Sequence, residues 1–312
     1  MSKTIAIYFS DSEPMAYPFN KKQYLEIYQQ IISELESRGI KVFIVRGDSY
    51  IKNGRFGKGW QFVNEKLKES AGEVHVDLIF NRDDKNTIPI IDDCKIINQP
   101  EFDQLCVDKV KTFETFPDIS PKTASIHSYQ GYLEQIEKWR MKPEEMIVLK
   151  KNFETEGRGI FIIPIADVKK SSYKDWNNVM VQEFIDSSIG IPGITDGLHD
   201  LRVTVINGKP INSFLRVPKK GSYLANVAQG GSGTSIDLKK VPKEVIEFVY
   251  RIDKKVKKYY PAIYSADFIH SGKGYRLLEL NSRPGVQHPE WSKTYKKFND
   301  GIIEMLIAAV NE

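Results

Sequence analysis

Three side chains near the end of the sequence have the types and spacing of a metal site. The segment ADFIHSGKGYRLLELNSRPG contains Asp267, Glu279 and Asn281. Carboxylate and amide oxygens are the hard donors that Mg²⁺ prefers, and bound Mg²⁺ usually keeps coordination positions for substrate phosphates and water. Glu279 and Asn281 differ by two positions, so they share one face of a strand. The trio predicts a site that binds a divalent cation together with nucleotide phosphates.

The same segment predicts a β-hairpin that brings the two acids together. Residues 265–269 and 275–280 are rich in aromatic and aliphatic side chains, and the glycine-containing loop 270–274 lies between them. The expected pairing makes Glu279 the diagonal neighbour of Asp267, roughly 7–8 Å away by Cα.

That register assumes that Ile269 faces Tyr275 and that Asp267 faces Leu277. A slip by one residue would put the acids on opposite faces of the hairpin. The alternative interpretation is an edge hairpin whose acids are simply solvated.

A lysine next to a glycine-containing loop is a candidate for binding phosphate. Lys150 ends a predicted strand, and the following loop, 151–159, contains Gly157 and Gly159. The ammonium group supplies charge, and backbone N–H groups of such a loop can surround an anion. The P-loop spacing is absent, so an ordinary hairpin loop is the alternative.

A polar pair inside an apolar strand is a candidate for binding the nucleotide base. Gln182 and Glu183 are followed by Phe184 and Ile185. Exposed backbone there could hydrogen-bond an adenine edge while Phe184 packs on its face. The alternative is a strand with a solvated Gln and Glu.

Charged residues in the next region could act on a transferring group. Arg202, two positions after Asp200, and then Arg216 lie near predicted strand ends, where they could contact a phosphoryl group or an acyl phosphate. Asn226 follows, and the flexible segment 229–233 could close over a substrate. A plain surface loop is the alternative.

Two further arginines are candidates for binding substrate. Arg283 directly follows the predicted metal ligands and could bridge the metal site and an acceptor pocket. Arg82 ends a predicted strand of the N-terminal region and could grip a substrate carboxylate, with a surface salt bridge as the alternative. His288 is more consistent with a structural role.

Strand and helix alternate over the first hundred residues. Strands are expected at 4–9, 41–45, 76–81 and 95–98, and helices at 21–38, ending at Gly39, and at 61–70. This order predicts a small parallel α/β domain, and the absence of G-x-G-x-x-G argues against dinucleotide binding. Later, Asn207-Gly208 predicts a two-residue hairpin turn, and helices are expected at 242–259 and 300–310.

Composition is that of an ordinary globular chain. The 312 residues carry a net charge of +4 with 45 basic and 41 acidic residues intermixed, which argues against a nucleic-acid partner. No apolar run approaches a membrane span. Two cysteines, Cys94 and Cys106, form neither a disulfide framework nor a zinc site, so a reducing cytoplasm is expected.

The order of these motifs resembles the ATP-grasp superfamily of carboxylate–amine ligases over residues 108–289. The nearest resemblance is to ribosomal-protein glutamate ligases and other peptide-forming members, with glutathione synthetase and D-alanine–D-alanine ligase more distant. The matching motifs are Asp108-Lys109, Lys150, Glu156-Gly-Arg-Gly159, Gln182–Ile185, Asp200-Leu-Arg202, Arg216, Asn226, Asp267, Glu279 and Asn281.

The resemblance implies an α/β architecture, with an ATP-grasp fold preceded by a small parallel Rossmann-like domain. It implies domains at 1–105, 106–186 and 187–312, with ATP and Mg²⁺ as cofactors. ATP would phosphorylate a carboxylate, and an amine such as that of an amino acid or peptide would attack the acyl phosphate. The roles that it implies are phosphate binding by Lys109 and Lys150, nucleotide binding by Gly157, Gly159, Gln182–Ile185, Asp200 and Asn226, metal binding by Asp267, Glu279 and Asn281, and catalysis by Arg202, Arg216 and Arg283.

One departure concerns the acceptor. Related ligases often have Asn-x-Ser-Pro-Gly after the metal Glu, whereas this chain has Asn-Ser-Arg-Pro-Gly at 281–285. The added cation predicts an acidic or carboxylate-bearing second substrate. An ATP-grasp kinase and a non-catalytic nucleotide-binding module are the alternative functions, and a homo-oligomer is compatible with the sequence.

Overall fold

A computed structural model of the protein describes residues 2–83, 94–153, 159–225 and 230–312. Its N-terminal sheet is formed by β1 (Thr4–Phe9), β2 (Lys41–Arg46), β5 (Trp60–Val63), β6 (Lys66–Glu69), β8 (Leu78–Asn81) and β9 (Lys95–Ile97). Their spatial order is β6-β5-β2-β1-β8-β9. The pairs β1–β2, β1–β8 and β8–β9 are parallel, which confirms the parallel α/β arrangement.

Helix α1 (Lys22–Ser37) connects β1 to β2 and packs on the sheet. Ile27, Ile31 and Leu35, spaced by four, are buried on its inner face. The helix ends as predicted, because Gly39 has a φ of +78° and its N–H donates to the carbonyl of Glu36.

Residues 61–70 form the β5–β6 hairpin, so the helix predicted there is wrong. Phe62 pairs with Leu67, and Asn64 and Glu65 have φ values of +48° and +64°. Two successive left-handed residues suit the two-residue turn of a hairpin and interrupt a helix. The other face of the parallel strands is covered by a small sheet of β3 (Tyr50–Lys52), β4 (Arg55–Phe56) and β7 (Val74–His75).

A second, antiparallel sheet follows the short helices α2 (Pro100–Val107) and α3 (Lys109–Thr115). Its strands are β10 (Thr123–Ile126), β11 (Met146–Lys151), β12 (Phe161–Pro164) and β13 (Val179–Glu183), in the spatial order β10-β13-β11-β12. Helix α4 (Tyr129–Trp139) covers one face, and its Tyr132 and Ile136 share a core with Leu149 and Val181.

The third sheet carries the three predicted metal ligands together with Asp200, Arg202 and Arg216. Its strands are β14 (Asp200–Ile206), β15 (Lys209–Val217), β16 (Ser232–Ile236), β17 (Ile263–Ser271) and β18 (Gly274–Asn281), in the spatial order β16-β15-β14-β17-β18. The predicted Asn207-Gly208 turn joins β14 and β15, with φ values of +45° and +74°.

Two helices pack against this sheet. Helix α5 (Lys243–Val256) buries Val245, Val249 and Ile252 in the core of the sheet. Helix α6 (Tyr295–Asn311) places Ile302 and Leu306 in the apolar core that also contains the inner face of α1. The last helix therefore stabilises the N-terminal region, and the predicted domain boundaries stay predictions. No helix in the described ranges is long and apolar enough to cross a membrane.

Candidate active site

A bulge in the β17–β18 hairpin brings Asp267 and Glu279 face to face. The hairpin turns through a two-residue loop instead of the five-residue loop expected, and Phe268 pairs with Leu277. A regular continuation would turn Glu279 to the opposite face. Leu278 is instead an extra, bulged residue, and Asp267 pairs directly with Glu279. The predicted register is wrong by one position, and the bulge puts both carboxylates on one face.

Two arginines hold the buried carboxylate of Asp267. Arg202 on the adjacent β14 donates from Nε and Nη2 to its two oxygens, each at 2.7 Å. Arg216 reaches across β14 from β15 to donate to Asp267, and it also donates to Asp200 at 2.8 and 2.5 Å. Sheet register dictates this network, because Asp200 pairs with Arg216 and Arg202 pairs with Asp267.

The two acids of the network differ in proton affinity. Burial alone would raise the pKa of Asp267, but the charges of Arg202 and Arg216 outweigh it and hold the pKa below its usual value. Burial and the nearby charge of Asp267 raise the pKa of Asp200, even though Arg216 contacts it. A single guanidinium shared by two carboxylates does not compensate both. The lowered pKa keeps Asp267 ionised over the whole neutral range, which suits a metal ligand.

Two lysines lie on the other side of Glu279. The Nζ atom of Lys109 is 4.0 Å from Glu279 Oε1 and donates to the carbonyl of Asn152 at 3.2 Å. Lys150 is buried, with its Nζ 5.4 Å from the centre of the Phe113 ring. Burial, and then the charge of Lys109, lowers the pKa of Lys150 to about 8, whereas Glu279 acts in the opposite direction. Ammonium groups gathered here suit phosphate.

Asn152, which sequence reasoning missed, explains why the two lysines meet. Its side chain accepts the N–H of Val110 at 3.0 Å and donates to Asp108 at 2.8 Å. Asp108 also caps α3 with its side chain. The chain after β11 is thereby fastened to the first turn of α3, which places Lys109 beside Lys150. A lone Asn after a strand carries no sequence signal for this contact.

A cleft lies between the second and third sheets and is lined by residues of both. All four residues predicted for the adenine, Gln182 to Ile185, border it. β13 ends at Glu183, so the backbone of Phe184 and Ile185 leaves the sheet at the rim. The apolar walls are formed by Val148, Ile160, Ile162, Leu198, Ile269 and the bulged Leu278.

Tyr223 is a second residue that the sequence did not reveal. Its ring lies at the rim of the cleft, 5.5 Å from the ring of Phe184 in an edge-to-face arrangement, and it is 50% exposed. An aromatic pair at the mouth of an apolar cleft can shield a planar ligand from water.

His199 borders the cleft beside Asp200 and was also missed. Its Nε2 accepts the N–H of His270 at 3.1 Å, and its Nδ1 is 2.9 Å from the carbonyl of Gly197. An accepting Nε2 carries no proton, so Nδ1 is the donor to Gly197. Burial lowers the pKa of His199. The neutral ring ties the segment before β14 to the hairpin.

Gly159 and Arg202 are predicted site residues that do not border the cleft. Gly157 and Asn226 lie outside the described residues. Gly159 has a φ of +65°, and its carbonyl accepts the hydroxyl of Tyr173 at 2.8 Å. Arg202 lies behind Asp267 rather than at the cleft surface.

The side chains of Arg283 and Arg82 both contact other groups of the protein. The Nη2 atom of Arg283 lies 3.1 Å from the Asp103 carboxylate on α2, and Arg82 Nη2 donates to the carbonyl of Pro284 at 2.8 Å. The segment after Asn281 packs against the carboxyl ends of the N-terminal strands, which accounts for both contacts. Neither guanidinium is among the groups that border the cleft.

The predicted metal ligands fit a hard cation. Among the described residues no cluster of three or more His, Cys, Asp or Glu could hold a metal, so the amide of Asn281 is needed as a third donor. Asn281 pairs with Ser265, two positions along the ladder from the Asp267–Glu279 pair, and its Oδ1 also accepts the N–H of Arg283 at 2.9 Å. A carboxylate has about four acceptor positions, and the arginines use three on Asp267. The Glu279 side chain is 37% exposed, whereas that of Asp267 is 3% exposed.

A family model and several known proteins match this chain. A model of the RimK-like ATP-grasp domain matches residues 108–306. The coenzyme gamma-F420-2:alpha-L-glutamate ligase of Methanocaldococcus jannaschii is 25% identical over 202 residues, which are 63% of this chain and 65% of that protein. The chain spans less than two thirds of the length of the curated relatives it matches.

Solved structures agree on the fold. D-alanyl-alanine synthetase A from Vibrio cholerae has a TM-score of 0.64 at 13% identity, covering 100% of both chains. The ATP-grasp ligase PsnB, solved with a precursor variant, Mg and ADP, has a TM-score of 0.60 at 11% identity, covering 99% of both chains. Because the family model covers well over half of the sequence, the chain belongs to the RimK-like ATP-grasp domain family.

Proposed function

We propose that the protein joins a carboxylic acid to an amine, using ATP and releasing ADP and phosphate. The observation that carries the proposal is the paired Asp267 and Glu279, with Lys109 4.0 Å from Glu279, at one end of an apolar cleft. A nucleotide base in the cleft would direct its phosphates toward Lys109 and Lys150. Acids and cations placed around one point suit phosphoryl transfer, where positioning and electrostatics supply most of the rate.

The residues of this chain would divide the work along the cleft. Val148 and Leu278 would hold the base, while the backbone of Phe184 and Ile185 at the rim would bond its edge. Lys109 and Lys150 would bind the phosphates. Val148 and Lys150 lie on β11 of the second sheet, Leu278 lies on β18 of the third sheet, and Lys109 begins α3, so a bound nucleotide would contact both sheets at once.

Asp267, Glu279 and Asn281 would hold Mg²⁺, which when bound neutralises charge on the phosphates. Arg216 and Arg202 keep the Asp267 carboxylate ionised and fixed in position.

The chemistry proceeds in two steps. The γ-phosphoryl group passes to a carboxylate oxygen of the acid as its bond to ADP breaks. The amine nitrogen then attacks the carbonyl carbon, the bond to phosphate breaks, and the amine loses a proton. Fixed positive groups favour both steps because negative charge develops on the phosphoryl and carbonyl oxygens.

We infer that at least one substrate is an amino acid or a peptide. The M. jannaschii relative is named an alpha-L-glutamate ligase, and PsnB was solved with a precursor. Cys94 and Cys106 are not joined in a disulfide in the described part of the chain, which suits the cytoplasm as the proposed location.

A panel of amino acids and short peptides, tested in pairs for ADP release and product mass, examines this proposal. ADP should appear only when an acid and an amine are both present, and the product should have the mass of an amide. Glu279→Gln should lower turnover by about a hundredfold or more. The matched control is Glu247→Gln, an exposed position on α5. A phosphorylated product formed without an amine would contradict the ligase assignment.

A further inference from the structure

One buried amide joins the two strands that carry the predicted metal ligands. The last pair of the β17–β18 ladder is Ser265 with Asn281. Beyond that pair, Asn98 Nδ2 donates to the carbonyl of Ile263 at 2.7 Å and also to the carbonyl of Ser282. In return, Asn98 Oδ1 accepts the N–H of Ile263 at 2.8 Å. The side-chain amide therefore occupies the place of the strand residue that would otherwise pair with Ile263.

We propose that Asn98 is a positioning residue, which fixes the open end of the hairpin and thereby the spacing of the metal-binding side chains. The inference rests on the proposed function, in which Asp267, Glu279 and Asn281 bind the cation. Asn98 directly follows β9, an edge strand of the N-terminal sheet, and so comes from outside the sheet that it fastens.

Burial makes this contact difficult to replace. Asn98 and Ile263 are each 1% exposed, so water does not reach their polar groups in the folded protein. Without the amide, the N–H and carbonyl of Ile263 and the carbonyl of Ser282 would lose a bonding partner inside the protein. The strands would then separate, or water would have to enter between them.

A second contact holds the same segment. Asp103 on α2 pairs with Arg283 at 3.1 Å and accepts from Asn81 Nδ2 at 3.0 Å. Arg82, next to Asn81, donates to the carbonyl of Pro284. Residues that follow the N-terminal strands thus hold three successive positions, 282 to 284, directly after the ligand Asn281. This arrangement gives Arg283 a role in positioning the segment after Asn281.

The two ends of the cleft should respond differently to a loosened hairpin. Mg²⁺ demands near-ideal octahedral geometry at about 2.0–2.1 Å, so small shifts between its ligands weaken binding. The base is held largely by the second sheet and by the 182–185 segment, which Asn98 does not contact among the bonds described. Loss of Asn98 should therefore raise the Mg²⁺ requirement and leave metal-free nucleotide affinity nearly unchanged.

The test compares Asn98→Ala with Ile136→Ala, a truncation in the separate core of the second sheet. The Mg²⁺ concentration for half-maximal turnover should rise by about tenfold or more in Asn98→Ala, as for other residues that orient metal ligands. ADP affinity in EDTA should stay within about twofold of wild type. Ile136→Ala should lower the melting temperature without changing the Mg²⁺ requirement. Equal Mg²⁺ requirements in Asn98→Ala and Ile136→Ala would overturn the inference.

Asn98→Asp provides a rescue that a purely structural role does not predict. A buried carboxyl group has a raised pKa, and its protonated form can donate one of the lost hydrogen bonds. The Mg²⁺ requirement of Asn98→Asp relative to wild type should fall as the pH is lowered, whereas that of Asn98→Ala should not. If Asn98→Ala does not fold, this pH dependence decides the question.

Hydrogen exchange separates this inference from the proposed function. If the wild-type chain turns over no ATP with any substrate pair, the proposed function has failed. Peptides covering 263–269 and 277–283 should still exchange faster in Asn98→Ala than in Ile136→Ala if Asn98 fixes the hairpin. Equal exchange in the two variants would overturn the positioning role by itself.

Discussion

Replacing Arg216 with methionine should destabilise the protein through an uncompensated buried charge. Arg216 donates to both Asp200 and Asp267, and only Asp267 has a second arginine among the described contacts. The side chains of Arg216, Asp200 and Asp267 are 13%, 9% and 3% exposed. Methionine fills similar volume, so the change mainly removes charge.

The expected cost is that of breaking a buried ion pair, about 3–5 kcal/mol. At about 2.1 cal/mol/K per residue, this corresponds to a fall in melting temperature of about 5–8 °C for a chain of this length. Arg251→Met is the matched control, because Arg251 forms a surface pair with Asp118 at 3.3 Å. A surface pair contributes about 0–1 kcal/mol.

The pH dependence of this cost has a definite sign. Burial and the charge of Asp267 raise the pKa of Asp200 above its ordinary 3.8. A carboxyl group with a raised folded pKa stabilises the fold when protonated, and that contribution is lost as the pH rises through the folded pKa. Removing Arg216 raises this pKa further. The destabilisation should therefore be larger at pH 8 than at pH 5.

Chemical denaturation of Arg216→Met, Arg251→Met and Arg216→Met/Asp200→Asn at both pH values measures these effects. The double variant should regain most of the loss at pH 8, because it lacks the uncompensated carboxylate. A cost for Arg216→Met that matches Arg251→Met, or one independent of pH, would refute the account of this network.

Two further predictions concern nucleotide binding. Because the pKa of Lys150 is lowered to about 8, calorimetric ATP affinity should fall above that pH by about tenfold per unit, whereas Lys150→Arg should show little change up to pH 9.5. A flat wild-type profile would contradict the phosphate role of Lys150. Tyr223→Ala should raise the KM for ATP by about three- to tenfold with little effect on kcat, since Tyr223 contacts Phe184 at the rim. A fall in kcat at constant KM would place Tyr223 elsewhere in the reaction.

The family could be predicted from the sequence because its motifs are short and follow one another in a fixed order. Both can be recognised without knowing how the chain packs. The register of the β17–β18 hairpin could not be predicted from the sequence alone. Gly272 and Gly274 both permit a turn, and the choice between two loop lengths shifts every pair by one. The bulge at Leu278 depends on its side chain entering a cleft that other elements build. The residues around Leu278 in the sequence form no pattern that predicts this contact.

Contacts between distant segments of the chain explain the remaining differences between the sequence-based predictions and the structure. Arg283 next to the metal ligands suggested a substrate contact, but its partner Asp103 lies on a helix far earlier in the chain. Asn98 and Asn152 are single amides without a motif, and their roles follow only from the buried groups that surround them.

The central claim is that a cation is held between the facing carboxylates of Asp267 and Glu279 beside the nucleotide phosphates. Anomalous diffraction from a crystal grown with Mn²⁺ and a nonhydrolysable ATP analogue tests it most directly. A peak that contacts both carboxylates and the triphosphate is the predicted result. A triphosphate bound away from the Asp267–Glu279 pair, with no peak between the two carboxylates, would contradict the account.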